Sequence, residues 1–96
     1  MENICQQVRN AMVTLYGDLD CRCGHACNML LDLIPGSIAE GTWNGNAHFF
    51  FLVDGEDGEL IVIDPTVEQF GEEAVYVGPM TEAYEIQTIL GGKVDL

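Results

Sequence analysis

The stretch Ala47–Thr66, AHFFFLVDGEDGELIVIDPT, constrains the fold more than any other part of the chain. Two strongly apolar runs flank an acidic turn region, and each has a polar residue near its far end, His48 and Asp64. Runs this rich in Phe, Val and Ile read as strands, Ala47–Val53 and Glu59–Asp64. The segment Asp54-Gly55-Glu56-Asp57-Gly58 holds two Asp-Gly pairs, which favour a tight connection. Side chains alternate along a strand, so His48, Phe50 and Leu52 share one face, as do Leu60, Val62 and Asp64 on the partner. A loop over residues 54–58 pairs Val53 with Glu59, and counting outward puts His48 opposite Asp64. Directly opposed Cβ atoms lie about 4.5–5.5 Å apart, within reach of an imidazole–carboxylate hydrogen bond. The other face, Phe49, Phe51, Val53, Ile61 and Ile63, is also apolar. The hairpin is therefore expected to be covered on both sides, by a helix on one and by a helix or the second subunit of a homodimer on the other.

Before the hairpin the apolar spacing changes to that of helices. Ile4, Val8, Ala11, Met12 and Leu15 recur at three- and four-residue intervals, predicting a helix over 2–16 that Gly17 ends. Asp20 is a candidate cap for a second helix, from Cys21 or Cys23 to Leu33, that stops at Pro35-Gly36. Its stripe is Cys23, Ala26, Cys27, Leu30, Leu31 and Ile34, with His25 pointing away to solvent. Ile38–Trp43 and Glu73–Val77 read as further strands, the latter stopped at Gly78-Pro79, and Ala83–Leu90 as a closing strand. Helices followed by strands imply an α+β fold: two N-terminal helices packed on an antiparallel sheet of about four strands. The 96 residues suit one domain, 1–96.

Charge narrows the partners. Sixteen acidic residues against three basic ones give a net charge of −13, which repels nucleic-acid phosphate and anionic membrane surfaces. It would attract a basic protein or peptide, although acidity also serves solubility alone. No run approaches the ~20 apolar residues of a membrane span, and MENICQQVRN does not have the pattern of a signal peptide. The expected location is cytoplasmic, where thiols stay reduced.

Three of the four cysteines fall in CRCGHAC, residues 21–27. Packing the second helix on the sheet would bring Cys23, in its first turn, against a histidine held by a carboxylate. Helix-end N–H groups and an imidazolium favour thiolate over thiol. His48 would carry protons, Asp64 would fix its tautomer, and the Cys23 N–H could meet an oxyanion. Arg22 is adjacent and adds local positive charge. Cys21, two residues away, is a rival nucleophile. Against this, a free cysteine commonly behaves as a small buried hydrophobe, which is the reading for Cys5 and Cys27. Zinc is a weaker alternative, because the ligands crowd at one helix start without a second spaced pair. No metal or other cofactor is expected. Trp43 suits a core aromatic at a strand end or the wall of a substrate cleft, and Gln69 and Phe70 anchor the segment after Pro65.

The pattern C-G-H-A-C at 23–27, N-A-H-F at 46–49 and V-I-D-P-T-V-E-Q-F at 62–70 resembles papain-like and transglutaminase-like cysteine enzymes. It is most similar to small bacterial and phage proteins and to toxin-associated deamidase domains of that superfamily. The resemblance covers roughly residues 18–80 and implies a minimal papain-like core. It also implies a nucleophile at Cys23, general base His48 and orienting Asp64, acting on an amide of a protein or peptide by hydrolysis, glutamine deamidation or acyl transfer. No glutamine shortly precedes Cys23, where papain-like enzymes use one at the oxyanion; Gln6 and Gln7 lie on the first helix. That gap, the short chain and the charge define an alternative: an inactive acidic binding or inhibitor protein, phage-encoded for example, on the same fold.

Overall fold

The computed structural model describes residues 1–96. Two helices lead, α1 (Glu2–Tyr16) and α2 (Cys23–Leu33). Five strands follow: β1 (Ser37–Trp43), β2 (Asn46–Asp54), β3 (Leu60–Asp64), β4 (Tyr76–Pro79) and β5 (Tyr84–Ile89), with a 3₁₀ turn at Val67–Phe70. The architecture is α+β, and the sheet has five antiparallel strands in the order β4-β3-β2-β1-β5. The expected number was about four. No helix is long and apolar enough to cross a membrane.

Local chemistry accounts for most boundaries. Gly17 takes a left-handed φ of 86° and returns its N–H to the Val13 carbonyl, closing α1. Helix α2 begins without a side-chain cap, at Arg22 rather than at Asp20. It ends where Ile34 turns extended ahead of Pro35, as the residue before a proline prefers. Asn44 and Gly45, with φ 45° and 83°, make a two-residue turn whose twist suits a hairpin, and this fixes Gly41 opposite His48. Gly78 and Pro79, expected to stop β4, lie within it, on an edge strand where proline's missing donor costs little.

The helices cover one face of the sheet. Cys5, Val8 and Met12 of α1 and Ala26, Cys27 and Leu30 of α2 pack with Ile38, Phe51, Val53 and Ile63 in one core cluster. Leu15, expected in the α1 stripe, is instead 63% exposed.

The opposite face holds Ala39, Phe50, Leu52, Val62 and Tyr84 and is closed without a further helix. Four gaps of ~4.8 Å would hold the edges of a flat five-stranded sheet about 19 Å apart. Yet the rings of Tyr76 on β4 and Tyr84 on β5, the two edge strands, have centroids 5.6 Å apart. The sheet is strongly coiled and buries its concave face in itself. Coiling requires β1 and β5 to approach closely at a bulge between Glu40 and Gly41. A Cβ at Gly41 would collide with the Glu85 carbonyl oxygen, so glycine is needed there.

Candidate active site

The β2–β3 register differs from the sequence-based expectation by two residues. Asp54 pairs with Leu60 and Phe51 with Ile63, so the loop is Gly55–Glu59, closed by a 2.7 Å bond from the Gly55 N–H to the Glu59 carbonyl. Asp64 consequently lies one pair-step from His48, not opposite it. A shift of two preserves the face, because side chains alternate with period two. Diagonal neighbours remain within reach of an aromatic side chain. His48 Nε2 and Asp64 Oδ2 are 2.8 Å apart, and both side chains are 0% exposed.

Asp64 is held by more than histidine. The Tyr84 hydroxyl donates to the same Oδ2 at 2.8 Å, and the Thr66 N–H donates to Oδ1 at 3.3 Å. Three donors satisfy a carboxylate that burial would otherwise penalise. Tyr84 comes from the far edge strand and arrives only because the sheet coils. Thr66 sits just past Pro65 in an Asx-type turn. Neither was identified from sequence. An Asp followed two residues later by Thr was the available signal for the second; nothing local marks the first.

Cys23 reaches this site from the other side of the sheet. The α2 stripe packs on the Phe51/Ile63 face, whereas His48 and Asp64 project with Phe50 and Val62. The pairing of β3 with β2 stops at Phe51–Ile63 and Pro65 turns the chain away, leaving the β2 edge at His48 and Phe49 without a β3 partner. There the first turn of α2 sets the half-buried thiol beside the Phe49 backbone and the His48 ring. Nε2 is engaged with Asp64 and Nδ1 is buried with no hydrogen-bond partner, so Nδ1 is the ring nitrogen left to face the thiol.

The electrostatics follow from this arrangement. Burial pushes the Cys23 thiol up, but hydrogen bonding from His48 and from the Phe49 and Gly24 backbones, with the imidazolium charge, brings it below the ordinary cysteine value of 9.0. For His48, burial lowers the pKa, and hydrogen bonding to Asp64 and Cys23 outweighs it, raising the ring from 6.5 to about 9. The pair therefore favours thiolate and imidazolium. Cys5 and Cys27 go the other way: burial, with the Asp64 charge, pushes Cys5 up to about 12 and Cys27 well above 9.0. They are core residues, as expected, and chemically quiet.

The accessory residues separate. Cys21 is exposed at a left-handed φ of 59°, its N–H directed at Gln69 Oε1 over 3.4 Å. Gln69 Nε2 donates to Thr66 Oγ1 at 3.2 Å, so this glutamine ties the loop before Cys23 to the turn after Asp64. Arg22 stacks over the Tyr16 ring at 4.2 Å, and the charge acting on Cys23 is that of His48. His25, expected to face solvent, packs at 4.9 Å on the same tyrosine with Nδ1 buried. Trp43 stacks flat on Phe70 at 5.0 Å, and Phe70 meets His48 edge-on at 5.0 Å, so Trp43 touches the site through one ring. The part-buried Arg9–Glu68 pair, 2.9 Å, anchors the 3₁₀ turn carrying Phe70 to α1. No three His, Cys, Asp or Glu side chains group as metal ligands. No family model, curated protein or solved structure matches this chain.

Proposed function

We propose that this chain is a thiol-dependent amide-processing enzyme on a minimal papain-like core, with Cys23 as nucleophile, His48 as acid and base, and Asp64 as orienter. The observation that carries this reading is the fully buried 2.8 Å bond between His48 Nε2 and Asp64 Oδ2, which leaves Nδ1 for a thiol of lowered pKa. A structural ion pair needs no half-exposed thiol at its end; a catalytic one does.

The Cys23 thiolate attacks the carbonyl carbon of a glutamine side chain or peptide bond. The oxygen takes the negative charge and meets the Cys23 N–H, free of any intrahelical acceptor in the first turn of α2. As the tetrahedral species collapses, His48 gives its Nδ1 proton to the departing amine and the carbon–nitrogen bond breaks, leaving a thioester. Neutral His48 then takes a proton from water, or from an acceptor amine, whose oxygen or nitrogen attacks the thioester and releases the thiolate. Water yields hydrolysis or deamidation, and an amine yields acyl transfer. Asp64 holds Nε2–H throughout, and Tyr84 and Thr66 hold Asp64.

Incubating the chain with a mixture of cellular proteins, beside Cys23→Ala, tests this by mass spectrometry. Cleavage, glutamine deamidation or a cross-link must appear with the parent chain alone. If Cys23→Ala produces the same changes, or neither chain produces any, the reading fails. One observation favours the alternative, an acidic binding protein: none of the four clefts on the surface is lined by Cys23.

A further inference from the structure

After β5 the chain leaves the sheet through Gly91-Gly92 and lies along α2. Its contacts climb the helix in steps of one turn. Lys93 Nζ pairs with Asp32 Oδ2 at 2.9 Å. Asn28 then takes both backbone groups of Val94, accepting its N–H at 2.7 Å and donating to its carbonyl at 3.0 Å. The Leu96 side chain comes to 3.1 Å from where a Cβ on Gly24 would stand, and Val94 to 3.4 Å. Asp32, Asn28 and Gly24 form one face of α2, spaced four residues apart, and the segment runs along them toward Cys23.

Two features set this contact apart from a tail at rest. Asn28 reads one residue's N–H and C=O together, the double contact a strand edge makes, and such recognition is indifferent to the side chain held. Gly24 is buried, and its missing side chain leaves room for Val94 and for one edge of Leu96, itself 65% exposed, on the helix residue next to Cys23. Phe49, Glu40 and residues 90–95 line an open cleft of about 430 Å³. Phe49 is the residue whose backbone hydrogen-bonds to Cys23.

We infer that the Asp32–Asn28–Gly24 face of α2 is a docking track for an extended peptide of pattern basic–apolar–any–apolar, and that Lys93–Leu96 occupies it in this structure as a tethered competitor limiting access to Cys23. The inference rests on Cys23 being the reactive thiol proposed above, and it supplies that site with a substrate class. Asp32, in a protein of net charge −13, takes the basic residue. Asn28 takes the backbone of the next residue, and Gly24 accepts the final apolar side chain. Displacing the strap uncovers the Gly24 end of this face, next to Cys23 in the first turn of α2.

The test is the rate at which iodoacetamide alkylates Cys23, read by intact mass in a Cys21→Ser background. Substituting Val94→Asp with Leu96→Ser in the full chain releases the strap and keeps the track. Alkylation should then accelerate about tenfold, the change expected when the apolar contacts of Val94 and Leu96 are lost and the segment lifts off Asn28. A synthetic peptide GGKVDL, C-terminally amidated, should slow the released variant again in a saturable way, and a scrambled peptide should not. In an Asn28→Ala chain alkylation should be fast and the peptide without effect. Thermal melts monitor folding. If the melting temperature falls while the alkylation rate is unchanged, or if GGKVDL fails to protect, the docking track is overturned. Failure of the catalytic reading looks different: the pH profile of alkylation would be that of an ordinary cysteine in every variant, whatever the ratio between them.

Discussion

His48 and Asp64 meet along a diagonal just beyond the β2–β3 ladder, whose register, continued past its last pair Phe51–Ile63, sets Asp64 level with Phe50 and not with His48. His48 Nε2 meets Asp64 Oδ2, and the Tyr84 hydroxyl donates to that same oxygen. Asp64→Asn therefore keeps the shape while replacing an anion by an amide that cannot stabilise an imidazolium. His48 should titrate lower, the Cys23 thiol higher, and any turnover should fall by about two orders of magnitude or more. Alkylation of Cys23 across the pH range checks the shift. An unchanged profile would mean that Asp64 is only a structural acceptor.

Tyr84→Phe isolates the second donor. The ring still packs edge-on against Phe50, 4.9 Å between centroids, so the change removes one hydrogen bond to a buried carboxylate and little else. A loss of about 1.5–3 kcal/mol is expected. Urea unfolding should show a lower midpoint at an unchanged slope. A wild-type midpoint would show that Asp64 is satisfied without the tyrosine.

The pH dependence of stability has a sign set by His48. Its folded pKa is raised from 6.5 to about 9, so its contribution is whole below 6.5 and is lost as pH climbs through about 9. Cys23 is an acid with a lowered pKa, so its contribution is whole above 9.0 and is lost as pH falls through that lowered value. Thiolate and imidazolium coexist only between the lowered thiol value and about 9. Between pH 6.5 and about 9 His48 alone loses stability, and Cys23 gains it above its lowered value, so the parent's melting temperature should level off there while that of Cys23→Ser, which keeps only the histidine, goes on falling. Melts in matched buffers settle the point. Parallel curves for the two proteins would contradict the ion pair.

How far the sequence discloses this site depends on the range of each interaction. Both helices and all five strands follow, with β4 displaced toward Pro79, from apolar spacing and from Gly, Pro and Asn near their ends, because those signals act within a few residues. His48 and Asp64 were legible as polar ends on apolar strands, and parity of side-chain direction brought them to one face even with the register two residues off. Cys23 was legible as a helix-start thiol. Its path was not: it reaches His48 through the gap where β3 leaves β2, not across a shared face. Tyr84 was hidden for a related reason. It is an edge-strand residue brought to Asp64 by sheet coiling, a property of all five strands together, and the one local trace of that coiling is the close approach at Gly41.

Thiol selectivity separates the four cysteines. Cys23 is half-buried with a lowered pKa, and Cys21 is exposed two residues away. Cys5 and Cys27 are buried and pushed up, Cys5 to about 12. Alkylation reacts through the thiolate, so a neutral solution with limiting iodoacetamide should mark Cys23 first, although Cys21 is the more accessible. Cys5 and Cys27 should react only when the protein is unfolded. His48→Gln should take away the lead of Cys23, because it removes both the hydrogen bond and the charge that lower the thiol. Peptide mapping after timed quenching gives the order directly. If Cys21 is labelled first in the parent chain, accessibility outweighs the imidazolium, and Cys21 becomes the nucleophile to test.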